Sequence, residues 1–265
     1  MTSLIGFKKL TLCLIATAIL AASPVALADT RLQIPVIPEN TQSFNSLVIQ
    51  HGCDDPATGT QSTPVFGQSV AFPNGVDSAI TTQAVGSDPN LPGNAYNGSI
   101  RDFALTSGIK KIQSNDVFSL EDVKVDTLGN VIGFWGGNGK LPGANYIGLN
   151  PFLFGAVIIQ STSCAASVTF VLGIVDVCKI TSIKGFTKET ANLWTPAVNS
   201  NFDGTANTND GYDSPATLKV TRDLKANPLP TSCGAGLDVT VTPSAAQLNH
   251  DLPVQINGTQ VWPLP

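Results

Sequence analysis

The chain has 265 residues, of which 42% are hydrophobic and 12% charged, and its net charge is −5. Nucleic acids and anionic membranes are bound through clustered Lys and Arg, and this acidic chain has no such cluster. The composition excludes a nucleic-acid-binding protein and favours one large β domain or two small ones around a sizeable core.

The first 28 residues have the pattern of a secretory signal peptide. Two lysines precede an apolar run over residues 10–22, and Ala26-Leu27-Ala28 has small residues at the positions that signal peptidase recognises. The apolar run is shorter than the roughly 20 residues that cross a bilayer. We expect cleavage after Ala28, a mature chain without membrane insertion, and an extracytoplasmic location, either periplasmic or secreted to the cell surface.

Short runs of β-branched and alternating residues follow, separated by Asn, Gly, Ser, Thr and Pro. The runs are LVIQ, PVFGQSVAF, VFSLEDVKV, NVIGFW and ASVTFVLGIVDV. A spacing of about 8–12 residues between turn signals is typical of an antiparallel sandwich or barrel. Gly129-Asn130 predicts a tight hairpin joining residues 117–126 to residues 131–135. Helical periodicity is almost absent, so we predict an all-β, immunoglobulin-like antiparallel sandwich with little helix.

The same patterns suggest how the chain is divided. Residues 29–222 form the predicted sandwich domain. Residues 223–265 have their own cysteine, the alternating run LDVTVTP and a Pro-rich end. We expect them to form a C-terminal extension that packs on the same domain, because no linker long enough to separate a second domain precedes them.

Four cysteines remain in the mature chain: Cys53, Cys164, Cys178 and Cys233. An even number in an exported protein predicts two disulfides, although four cysteines allow three pairings that spacing does not distinguish. Zinc binding would require close C-x-x-C pairs, which the chain lacks.

The sequence contains no complete motif of a known type of catalytic site. GQSVA around Ser69 lacks the second glycine of a nucleophile elbow and falls in a strand pattern. Only His51 and His250 could serve as a histidine base, and we predict that the protein is not an enzyme. Each histidine is a candidate for a structural hydrogen bond or for a metal ligand.

Five short motifs in chain order resemble the YcnI-like family of exported, copper-associated bacterial β-sandwich proteins. They are HGCDDPAT (51–58), VAFPNGV (70–76), FWGGNGKLP (134–142), ANLWTP (191–196) and SPATLKV (214–220). The resemblance covers about residues 46–222 and implies a β-sandwich fold, an extracytoplasmic protein and a connection with copper.

The resemblance also implies roles for single residues. Copper in that family is held at a histidine exposed as the mature N-terminus, and no histidine precedes His51 here. The HGC motif then implies a structural role, with Cys53 bonded to Cys178, Cys164 to Cys233, and His51 hydrogen-bonded beside the first bridge.

Two functions remain open at this stage. Copper, if bound, is expected at His51, together with His250 and a nearby carboxylate, close to Trp135. The alternative is a surface or adhesive module that binds a protein partner without metal.

Overall fold

The computed structural model describes residues 30–55, 57–141, 145–187, 189–195, 198–203 and 215–265. These residues form an all-β sandwich, which confirms the predicted fold class. Helix in the described ranges is limited to α1 (Ala245–Asp251) and the 3₁₀ turns Ile100–Asp102, Ile183–Gly185 and Thr231–Cys233. The predicted signal peptide lies outside the described residues, and none of the described helices is long and apolar enough to cross a membrane.

The largest sheet has six strands, numbered here, like all strands, in chain order. In spatial order they are β2 (Val36–Pro38), β16 (Thr217–Thr221), β13 (Ala165–Val171), β17 (Leu237–Pro243), β5 (Ser78–Ala84) and β6 (Asn94–Tyr96). Most pairs are antiparallel, but β13 pairs with β17 in parallel and β16 with β2 in parallel. Because β17 lies inside this sheet, the segment after residue 222 supplies an interior strand.

Two further sheets complete the sandwich. The four-stranded sheet consists of β1 (Arg31–Leu32), β3 (Ser43–Ile49), β11 (Gly148–Phe154) and β8 (Ile109–Lys111). The five-stranded sheet consists of β15 (Ala191–Trp194), β14 (Gly173–Val177), β4 (Gly67–Ala71), β10 (Val131–Gly139) and β9 (Phe118–Val125). The small pairs are β7 (Ala104–Thr106) with β12 (Val157–Ile159) and β18 (Val254–Ile256) with β19 (Thr259–Trp262).

The main core draws side chains from all three large sheets. At its centre are phenylalanine rings whose centroids lie 5.3–6.2 Å apart: Phe72, Phe134, Phe152, Phe154 and Phe170. Aromatic pairs at these separations stabilise a core beyond the area that they bury.

The central strands β4 and β14 of the five-stranded sheet are buried on both faces. Successive residues of a strand point to opposite faces, and Ile174 belongs to the main core while its neighbour Val175 belongs to a second cluster. We call the first face the inner face and the second the outer face. The outer face is covered by α1 and by the β18–β19 hairpin, through Leu248, Leu252, Val254 and Trp262 among others.

Candidate functional site

The HGC motif is fixed by a disulfide and by backbone pairing. Cys53 is bonded to Cys178, with 5.8 Å between their Cα atoms, and a second bond joins Cys164 to Cys233. Both predicted pairings are confirmed. Cys53 also forms an antiparallel bridge with Thr63, and a side chain at Gly52 would lie only 2.2 Å from the Thr63 carbonyl oxygen. Gly is therefore required between the histidine and the cysteine for backbone packing.

His51 is partly buried and lies two residues before Cys53. Its Nδ1 lies 2.6 Å from the carbonyl oxygen of Gly52. Because a carbonyl oxygen only accepts hydrogen bonds, Nδ1 carries the hydrogen and donates the bond. The charge of His51 also lowers the pKa of Asp176, which lies two residues before Cys178. The structure therefore brings His51 within electrostatic range of a buried carboxylate on β14.

Asp176 is held by three donors at the inner face. Oδ2 accepts hydrogen bonds from Thr30 Oγ1 at 2.5 Å and Trp194 Nε1 at 2.7 Å, and Oδ1 accepts one from Gln68 Nε2 at 2.7 Å. Gln68 Oε1 in turn accepts from Asn150 Nδ2 at 2.8 Å, which links the five-stranded sheet to the four-stranded one. This network fills one end of the core with hydrogen-bonded polar groups, although Asn150 Oδ1 is buried without a partner among the described residues.

Burial raises the pKa of Asp176, against the three hydrogen bonds and the charge of His51, which lower it. The oxygens of Asp176 are already engaged, and the sulfurs of Cys53 and Cys178 are covalently paired. Cys53 and Cys178 therefore cannot bind a metal ion as thiolates.

His250 lies elsewhere, on α1. Its side chain is 80% exposed, and its Nδ1 lies 2.6 Å from Oδ1 of the buried Asp251. Within the described ranges, no group of three or more His, Cys, Asp or Glu residues could hold a metal ion. These donors do not fit a closed copper site, and copper binding through His51 and His250 stays a prediction.

Trp135 lies on the outer face, in the cluster covered by the C-terminal segment, whereas Asp176 is bonded to Trp194 of the main core. The structure thus places Trp135 and the Asp176 network on opposite faces of one sheet. Trp135 instead borders an apolar cavity of about 250 Å³ between β10 and the β18–β19 hairpin, which we call the apolar cavity.

The apolar cavity has two walls. The wall on the sheet side is formed by Phe66, which precedes β4, and by the strand residues Leu120, Trp135 and Val177. Ile180 and the hairpin side chains Val254, Ile256, Val261 and Trp262 form the rest. The described lining residues include no charged side chain.

Glycine in β10 is one reason why the space exists. Gly136 and Gly137 line the apolar cavity, and a Cβ atom on Gly137 would lie 3.3 Å from the Trp135 ring. A larger side chain there would occupy the space beside the tryptophan. Phe66, Leu120 and Ile180 are 40%, 52% and 40% exposed, so the cavity meets solvent along this rim.

Lys124 anchors the segment that connects α1 to the β18–β19 hairpin. Its Nζ donates to Ser69 Oγ at 2.5 Å and to the carbonyl oxygens of Asp251 at 2.5 Å and Leu252 at 3.0 Å, while the Ser69 hydroxyl donates to the Leu252 carbonyl. Burial lowers the pKa of Lys124 to about 7, against the attraction of Asp251. As predicted, Ser69 lies within a strand, β4, and with Lys124 it holds the end of α1.

Sequence reasoning found Trp135 but not the residues opposite it. The available signal was the adjacent apolar pair Val261-Trp262 in QVWPLP, which supplies part of one wall of the apolar cavity.

Comparisons of the chain with protein-family models, with curated proteins and with solved structures give no match. Membership of the YcnI-like family therefore stays a prediction that depends on the five sequence motifs.

Proposed function

We propose that this protein is a non-enzymatic binding protein of the extracytoplasmic space, which holds a small apolar molecule in the apolar cavity. The observation that carries the proposal is the composition of the walls: two tryptophans and seven other aliphatic or aromatic side chains surround about 250 Å³, and no charged side chain is among the described lining residues. Concave, mostly apolar sites of this kind are typical of small-molecule binding.

Two other observations support parts of the proposal. Two disulfides indicate that the chain folds in an oxidising environment, as extracytoplasmic proteins do. The contact between Ser69 and Lys124 has the residue types of a nucleophile and a base, but both groups are bonded to backbone carbonyls at the end of α1. Their bonds support a structural role, in line with a non-enzymatic protein.

Calorimetric titration with the bicyclic hydrocarbon indane tests this function. We expect a dissociation constant on the order of 0.1 mM, because small apolar ligands gain a few tenths of a kcal/mol to about 1.5 kcal/mol per non-hydrogen atom. Val261→Phe places a larger ring in the apolar cavity and should weaken binding at least about tenfold. The matched control Val76→Phe changes a valine that is 85% exposed and outside the cavity, so it should bind like the wild type.

Equal affinities in the two variants would contradict binding in the apolar cavity. Absence of heat with the folded wild type at millimolar indane would contradict the proposed function as a whole.

Copper binding at His51 is the second proposal, and one observation favours it: His51 lies close enough to Asp176 for their charges to attract. A single imidazole with oxygen donors would give a modest Cu(II) affinity that falls with pH, because protons compete with the metal for the histidine nitrogen. His51→Ala should abolish Cu(II) binding, measured by titration at pH 7.5. An unchanged isotherm in His51→Ala would rule out this residue as a ligand.

A further inference from the structure

The walls of the apolar cavity offer a ligand almost no hydrogen bonds. Nearly all of the surface that they turn toward the cavity is apolar, so the indole N–H groups of Trp135 and Trp262 contribute almost nothing to it. The amide of Gln68 is bonded at both ends, to Asp176 and to Asn150. A polar group that is buried without a hydrogen-bond partner destabilises a complex. The part of a ligand that enters this space is therefore hydrocarbon.

The apolar cavity is enclosed by buried residues and opens at exposed ones. Val177, Val254 and Trp262 are buried, whereas Leu120 and Ile180 at the rim are exposed. A compact ring that fills the space behind the rim leaves these two side chains in water. A longer molecule that continues across the rim covers them as well, and the apolar surface that it removes from water adds to its affinity.

The volume of the apolar cavity limits the length of the buried part. An apolar cavity of about 150 Å³ takes the six carbons of benzene. On the same scale, about 250 Å³ accommodates about six to ten carbons of a chain. The described lining residues include no charged side chain to attract an ionic group. The walls therefore select a hydrocarbon tail and leave a polar head in solvent.

From these observations we infer that the apolar cavity takes the unbranched hydrocarbon tail of a single-chain amphiphile, with about six to ten carbons inside and the polar head in solvent beside Leu120 and Ile180. This inference rests on the proposed function, because it names the class of molecule whose apolar part fills the same site. The buried walls would supply the affinity, and the rim would set the orientation of the chain.

A matched pair of ligands tests whether the end of the tail is buried. 1-Octanol and 1,8-octanediol have the same chain, and the diol has a second hydroxyl at the tail end. Calorimetry with the wild-type protein should give at least about tenfold weaker binding for the diol, because its second hydroxyl meets no hydrogen-bonding group in the walls. Similar affinities for the two ligands would overturn the inference, since a tail end that stays in water does not distinguish them.

A lysine at the rim tests where the head lies. Leu120→Lys places a cation beside the proposed head, so the affinity for octanoate relative to that for 1-octanol should rise about threefold, as expected for an exposed ion pair. The matched control Leu128→Lys makes the same change at a leucine that is 85% exposed and outside the apolar cavity, and it should keep the ratio of the wild type. Equal ratios in the two variants would overturn the proposed orientation and with it the inference.

Indane separates this inference from the proposed function. A wild-type protein that binds indane but not 1-octanol at millimolar concentration would overturn the inference, and the proposed function would stand. Failure of both ligands to bind the wild type would instead overturn the proposed function and this inference together.

Discussion

Lys124 places its amino group against the C-terminal end of α1. Its three hydrogen-bond partners are the hydroxyl of Ser69 and the carbonyls of Asp251 and Leu252, and the latter two are helix-end groups that attract cations. The same burial that secures this contact lowers the pKa of Lys124 to about 7. The residue therefore ties the C-terminal segment to the sheet and makes that attachment depend on pH.

Whether the free energy of unfolding rises or falls with pH follows from the protons bound by the folded and unfolded states. Between about pH 7 and pH 10 the unfolded chain keeps Lys124 protonated and the folded chain does not, so the unfolded state binds more protons and folding is favoured as the pH rises. The free energy of unfolding should rise by up to about 1.4 kcal/mol per pH unit in this window. Urea unfolding of the wild type and Lys124→Met at pH 7, 8 and 9 measures the difference between their slopes.

Lys110→Met is the matched control, because Lys110 lies on β8 and is exposed. It should keep the slope of the wild type. Identical slopes in the wild type and Lys124→Met would contradict the lowered pKa of Lys124.

At the scale of elements, the disulfide between Cys53 and Cys178 connects the HGC segment to the end of β14. It closes a separation of 125 residues, and Cys53 is fully buried with Ile49, Val65 and Phe118. Cys53→Ala with Cys178→Ala should lower the free energy of unfolding by about 2–5 kcal/mol, mainly because the unfolded chain gains freedom. Thermal unfolding followed by circular dichroism measures the loss.

The loss of the second disulfide can be compared with the loss of the first. Cys164 and Cys233 are 69 residues apart, so loop closure alone predicts a cost about 0.5 kcal/mol smaller when they are replaced by alanine. A midpoint unchanged by the loss of the first bridge would show that the HGC segment is held without it.

Two groups of strands show where local sequence patterns are enough to predict the structure and where they are not. The hairpin around Gly129 is confirmed, because its turn residues and flanking alternation are local: β9 (Phe118–Val125) pairs with β10 (Val131–Gly139). The run ASVTFVLGIVDV, by contrast, divides at Leu172 into β13 of the six-stranded sheet and β14 of the five-stranded sheet. The residues around this division, 170–175, are apolar throughout, so periodicity does not reveal the transfer between sheets.

For the whole molecule, the fold class could be predicted from the sequence because strand and turn residues alternate along the entire chain. The apolar cavity could not, because it depends on contacts between distant segments. Trp135 and Trp262 are 127 positions apart in sequence, and nothing in β10 alone indicates that its outer face is covered by the C-terminal hairpin. The proximity of His51 to Asp176 could not be predicted for the same reason, because the two residues are 125 positions apart in sequence.

The central claim is that the space between β10 and the C-terminal hairpin is a binding site for a small apolar molecule. X-ray diffraction from crystals of the protein soaked in bromobenzene tests it most directly, because the anomalous scattering of bromine locates the ligand independently of any effect on stability. We predict one dominant bromine peak between Trp135 and Trp262, and none there in Val261→Phe. Bromine peaks only at other places, with the apolar cavity of the wild type unchanged, would contradict the claim.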